Sequence, residues 1–237
     1  MELQEAPVNY LFKLWPKIEA NWIRIAWGGG VVVVAILAVS FYSWQQGQNE
    51  VTAGTALTQL ILSTSRNVPA SQQADLYLHL ATQYPSTGAG QRALLQGAAM
   101  MFAMGRYADA QSQFQKFIDA HPDSMLAAQA ALGVGTCLDA LGNADMAAMS
   151  YQQIIKKYSD VVAVTSARFA LAQIDERQGK LAEAAGLYQD IAQNNPNGSL
   201  GSEAGLRAME LKMKTQSTAP ATTPAPATTP TVPFKLN

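Results

Sequence analysis

The stretch that decides the fold runs from Gly105 to Pro122, GRYADAQSQFQKFIDAHP. Its outline returns from Gly142 to Ser159 as GNADMAAMSYQQIIKKYS and from Gly179 to Pro196 as GKLAEAAGLYQDIAQNNP, a period of 37 residues. A fixed period in this range marks one supersecondary unit stacked on copies of itself. Stepping at that period gives columns of like chemistry. Tyr77, Phe114, Tyr151 and Tyr188 form an aromatic column, Leu80, Phe117, Ile154 and Ile191 an apolar one, and Ala81, Ile118, Ile155 and Ala192 a third. Within each unit these fall at i, i+3 and i+4, which is one face of a helix. Ala110, Ala147 and Ala184 stand one turn ahead of the aromatic column, where a small side chain lets a neighbouring helix come close. Pro85, Pro122 and Pro196 close these helices, with Ser159 in the remaining place. Proline cannot continue a helix and restrains the residue before it.

A second helical pattern precedes each of these, over Gln91 to Gly105, Ala127 to Gly142 and Val164 to Gly179. Ala93, Ala130 and Ala167, with Ala98, Gly135 and Ala172, supply small residues where helices cross. Gly105, Gly142 and Gly179 end these helices, where the chain enters the left-handed region. Ser124 reads as a cap for the helix after it. The spacing therefore predicts an all-α protein of repeated helical hairpins. Four pairs occupy residues 51–214, the first degenerate with Val68 where glycine stands in the others. A last helix, Leu200 to Lys214, is expected to be more polar and to cap the stack, with Lys212 and Lys214 suited to its C-terminal end.

Ahead of the repeats, Ile25 to Trp44 reads IAWGGGVVVVAILAVSFYSW and holds no charge. As a helix at about 1.5 Å per residue, that run spans roughly 30 Å, the thickness of a bilayer's hydrocarbon core. Trp22 and Trp27 stand at one end, and Phe41, Tyr42 and Trp44 at the other, where amphipathic aromatics favour the interfaces. Lys13, Lys17 and Arg24 precede the run, and the next basic residue is Arg66. Positive charge stays on the cytoplasmic side. The expected layout is a cytoplasmic segment 1–24, a membrane helix 25–44, a linker 45–50, the repeats, and a Thr/Ala/Pro-rich tail 215–237. In a bacterium this places the repeats in the periplasm, tethered to the inner membrane. Ala38-Val39-Ser40 resembles a signal cleavage site. The 24 residues ahead of the apolar run and the length of the run favour an uncleaved anchor. The tail, rich in proline, threonine and alanine, reads as unable to build a core. It is a bare end or a carrier of a short ligand at Phe234-Lys235-Leu236.

The order of small residue, glycine, alanine, aromatic and proline resembles the tetratricopeptide repeat, over about Val51 to Lys214. That family's period is about 34 residues, and its early tryptophan is absent here. The resemblance implies a scaffold that binds other proteins. With one anchor and an external repeat stack, the layout also resembles the ancillary subunit family of the bacterial Sec translocon. That resemblance implies translocon subunits, exported proteins or periplasmic chaperones as partners. Envelope and division coordinators with the same style of repeat are the alternative.

Composition excludes much else. The formal net charge is −1, which offers no basic surface for nucleic acid. Cys137 is the one cysteine and there are two histidines, too few ligands for a zinc site. His79 shares a polar column with Lys116, Gln153 and Asp190, and His121 falls at a helix end. Cys137 shares a column with Met100 and Ile174, so it reads as buried packing rather than a nucleophile. No catalytic residue, cofactor or metal is expected. A redox or hydrolytic enzyme, or a purely structural oligomerisation module, are the rival classes.

Partner binding is expected on the concave face, lined by the first helix of each pair. Its candidate columns are Leu95, Leu132 and Phe169; Ala99, Thr136 and Gln173; and Phe102, Asp139 and Glu176. The first is apolar, and the others turn polar or acidic toward the C-terminal half. Either this stripe holds a segment of another protein, or Leu95, Leu132 and Phe169 pack inside the stack.

Overall fold

The computed structural model describes residues 8–64 and 69–218, and among them every regular element is an α-helix. Met1 to Pro7, the Val68 position and the tail from Ala219 onward lie outside the described residues. The chain divides into two compact units, residues 1–97 and 98–237.

The first unit begins with α1 (Val8–Thr64), 57 residues long. The linker expected at 45–50 is helical, so the apolar run and the first repeat helix are one rod. Gln45 to Glu50 contain no proline to break it, and Gly47 alone weakens it, by about 1 kcal/mol. The Thr52 hydroxyl donates to the Gln48 carbonyl at 2.9 Å along the same stretch. From Val31 to Trp44 the large apolar side chains of α1 are exposed, and Trp27, Gly30, Val31 and Val34 line a shallow groove on its surface. Over Gly29–Ser63 it is the one helix among the described residues long and apolar enough to cross a membrane. Further along, the side of α1 bearing Ala53, which is fully buried, packs where α2 (Ala70–Gln83) lies alongside.

Glu50 of α1 holds the start of α3 (Gly88–Ala103). A helix begins with four N–H groups that lack partners. Here the Gly88 and Ala89 amides donate to the two Glu50 carboxylate oxygens at 2.9 and 3.3 Å. The Gly90 amide donates to Thr87 Oγ1 at 3.0 Å, and the Thr87 amide to the Tyr84 carbonyl at 3.2 Å. All four are satisfied, and a negative charge sits at the positive end of the helix dipole. Position 90 admits no side chain, since a Cβ there would lie 1.9 Å from the Tyr84 carbonyl oxygen.

The second unit continues with α4 (Tyr107–Ala120), α5 (Ala127–Ala140), α6 (Ala144–Lys157), α7 (Val161–Arg177), α8 (Leu181–Asn194) and α9 (Ser199–Thr218). Each packs on the next, and α5 also meets α7 and α7 meets α9, as in stacked hairpins. The column residues Phe114, Phe117, Tyr151, Ile154, Tyr188 and Ile191 are all buried. They press into the small-residue columns: a Cβ on Gly135 would stand 2.6 Å from the Tyr151 ring. Gly105, Gly142 and Gly179 have φ of 80°, 81° and 78°. Each ends its helix with the same paired bonds, as where Asn143 N donates to Leu138 O and Gly142 N to Asp139 O, both at 2.9 Å.

Two boundaries differ from the periodic pattern. α7 begins at Val161 because Asp160 caps it, accepting from the Val162 and Ala163 amides at 2.9 and 3.1 Å. α9 runs on to Thr218, so Lys212 and Lys214 lie short of its last turn. Lys214 pairs with Glu210 at 2.8 Å and Lys212 donates to Gln189 Oε1. Nor is α9 uniformly polar, for Leu206, Met209 and Met213 are exposed on it.

Replacing Glu50 with alanine leaves the Gly88 and Ala89 amides without their acceptor. The expected loss is about 1 kcal/mol. Hydrogen exchange checks it, with Gly88 and Ala89 speeding up while amides of α8 stay unchanged.

Candidate protein-binding groove

In the second unit, α5, α7 and α9 are the first helices of successive pairs, and their side chains decide what a partner would meet. The apolar column splits by depth. Phe169 is 8% exposed and sits edge-on against Tyr188, ring centres 5.3 Å apart. Leu132 is half-buried against the cluster of Tyr151, Ile154, Leu171 and Ile174. Leu95, in the first unit, is 5% exposed. Leu95 and Phe169 therefore contribute mainly to packing, and the accessible surface comes from the other columns.

In those columns Ala99 and Gln173 are exposed, while Phe102, Thr136, Asp139 and Glu176 are half-buried. Phe102 leans on Tyr107, ring centres 5.0 Å apart. The Thr136 hydroxyl donates to the Leu132 carbonyl at 2.8 Å, a bond internal to its helix. The two carboxylates are already engaged. Arg177 Nη2 donates to Asp139 Oδ1, joining α7 to α5. Glu176 accepts from the Tyr188 hydroxyl at 3.3 Å and faces Arg207 Nη1 of α9 at 3.8 Å. Asp175 faces Lys180 at 3.7 Å. The strip that reads as acidic in the sequence is an alternation of carboxylates and guanidiniums. Arg177 and Arg207 were not among the sequence candidates. Arg177 stands 38 residues after Asp139, one beyond the repeat period, so comparison within columns hides the pair. Both ion pairs are partly exposed, and each contributes at most about 1 kcal/mol to holding the stack.

The strip constrains its tyrosines. Burial, then the nearby Glu176 carboxylate and its hydrogen bond, pushes the Tyr188 phenol up to about 12. Burial also raises Tyr151. Elsewhere, Cys137 is fully buried and burial pushes its thiol up to about 11, which holds it protonated and unreactive at neutral pH. His79 is exposed, and His121 caps the end of α4 with its ring 5.2 Å from that of Phe117. Among the described residues no three His, Cys, Asp or Glu converge to hold a metal.

Two outcomes follow. Folding keeps Tyr188 protonated to about pH 12, whereas the unfolded phenol ionises near the ordinary tyrosine value of about 10. Above that value ionisation favours the unfolded chain, so stability is full below pH 10 and declines as pH rises toward 12. Urea titrations at pH 8 and 11 should show this decline, and Tyr188→Phe should reduce it. In addition, Phe169→Ser should cost about 3 kcal/mol or more in stability. Gln173→Ala should change stability by less than about 0.5 kcal/mol, as denaturation midpoints would show.

The tetratricopeptide repeat-like domain family matches residues 14–151, more than half of the chain, and a tetratricopeptide repeat matches residues 141–199. No protein of curated function matches the chain. Repeats of this kind are scaffolds for protein–protein interaction. The chain belongs to the tetratricopeptide repeat-like domain family.

Proposed function

We propose that this protein is a membrane-anchored adaptor, with residues 25–44 crossing a bacterial inner membrane and the repeats held in the periplasm to bind other proteins. The exposed apolar face of α1 carries the proposal. Val31, Val34, Ile36, Leu37, Val39 and Phe41 are each more than half exposed. An exposed surface of that kind marks contact with lipid or protein, and the run has the length of a bilayer core. Lys13, Lys17 and Arg24 set the orientation. The family match begins at residue 14, so one family covers both the apolar run and the first repeats. That joint coverage favours a scaffold whose work is done beside the membrane.

The partner surface on this reading comprises Ala99, Phe102, Leu132, Thr136, Asp139, Gln173 and Glu176, with Phe169 supporting it from beneath. A partner gains apolar contact at Leu132 and Phe102 and must match paired rather than free charges at Asp139 and Glu176. The assigned task is assistance to protein export at the Sec translocon. Envelope or division coordination is the second reading, favoured by the same anchored layout.

A photoreactive residue at position 173 of the full chain, activated in native membranes, tests the assignment. Adducts with translocon subunits, exported chains or their chaperones are expected. Adducts confined to division or cell-wall proteins would establish the second reading, and recovery of the chain in the soluble fraction would sink both.

A further inference from the structure

The last described helix, α9, repeats the first helix of a pair, and among the described residues no second helix covers it. Leu206 falls in the column of Leu132 and Phe169, one period after Phe169. Phe169 is covered by Tyr188 of α8 and is 8% exposed, while Leu206 is 71% exposed. Met209 and Met213 are also exposed. At about 100° per residue the three fall within a stripe about 60° wide, and the stripe is roughly 10 Å long. The opposite face of α9 is spent, with Ala204, Ala208 and Leu211 buried against α8 and α7.

A second helix of the repeat type does not fit this stripe. In the preceding pairs the aromatic column lands on a small residue. Gly135 lies beneath Tyr151, and Ala172 belongs to the same cluster as Tyr188. One period on, that position is Met209. Its side chain fills the slot that an incoming tyrosine would need. What remains is a shallow, soft surface of one leucine and two methionines, suited to an irregular or extended apolar segment.

We propose that the occupant is the chain's own segment Val232-Pro-Phe-Lys-Leu236, docked on α9 of the same molecule. Three observations select it. Beyond Gln216, Val232, Phe234 and Leu236 are the only large apolar side chains, and they alternate. Proline at position 233 disfavours helix at the residue before it. In an extended chain the three side chains share one face over about 13 Å, close to the length of the stripe. Reach is sufficient: Thr218 is about 18 Å along the helix from Leu206, and residues 219–231 span up to roughly 40 Å at about 3.1 Å each. Charge agrees as well. Glu203 borders the stripe on one side, while Glu210 beside it is taken up by Lys214 and Arg207, and Lys235 lies between the apolar anchors Phe234 and Leu236. The segment thus finishes the stack at the place where the repeat pattern stops. It also keeps the stripe from other apolar chains until one outcompetes it. This inference stands apart from the membrane assignment and the partner groove.

Methionine oxidation tests it. The purified full chain in detergent is exposed to dilute peroxide, and sulfoxide formation at Met209 and Met213 is followed by mass spectrometry. Met125, 92% exposed, is the internal reference. Tethering supplies an effective concentration of the order of mM, so a contact with an intrinsic Kd of about 0.2 mM gives roughly fivefold protection. Met209 and Met213 are expected to oxidise about that much more slowly than Met125 in the native chain. In Phe234→Ser/Leu236→Ser, which leaves the repeats untouched, they should approach the Met125 rate. Equal rates in the two proteins would overturn the proposal. Protection that fades on dilution would overturn it too, since the occupant would then be a second copy.

Discussion

Tyr151 stands so close to Gly135 that no side chain fits between them, and the same contact type recurs along the second unit. Phe114 presses on Gly133 in the same way. An aromatic ring from the second helix of each pair enters a notch left by small residues on a first helix. Because interiors pack at crystal-like density, this ring-in-notch contact sets the distance between helices. The cores around it, Tyr151 with Ile154 and Ile174, and Tyr188 with Ile191 and Leu211, are built outward from the rings. The positive-φ glycines then return the chain at the right place for the next ring to land.

The same geometry explains what the surface offers. Phe169 packs under the Tyr188 ring and Leu95 is itself buried, so the apolar stripe inferred from periodicity is mostly consumed by packing. What reaches solvent is a line of paired charges, with Arg177 on Asp139 and Arg207 near Glu176. A stack of repeats thereby keeps a polar face without leaving buried charges alone. A partner docking on this face would have to displace or match these pairs, which would favour discrimination over raw affinity. In the last described helix, Met209 stands where Gly135 and Ala172 occupy the two preceding repeats.

In the first unit, the carboxylate of Glu50 ties the rod α1 to the start of α3. α1 carries both the apolar run and the first repeat helix as one continuous element.

Much of this was legible in the residue pattern. The recurring Tyr/Phe, Ala and Gly positions specify the helices, their order and their turns, because each is a local demand: a ring needs a notch, a turn needs positive φ, an apolar face needs a neighbour. The burial of Cys137 and the exposure of His79 could be read from their columns for the same reason. Three things required the tertiary structure. The capping of α3 by Glu50 of α1 joins residues 38 apart in the chain, which no column comparison brings together. The neutralisation of the acidic strip depends on pairs such as Asp139 and Arg177, whose spacing departs from the period. The division of one apolar column into buried Phe169 and exposed Leu206 depends on Tyr188 covering the first, while no described helix covers the second. The sequence determines what each position prefers, whereas only three-dimensional packing decides which preference is met, because contact across repeats has no fixed separation along the chain.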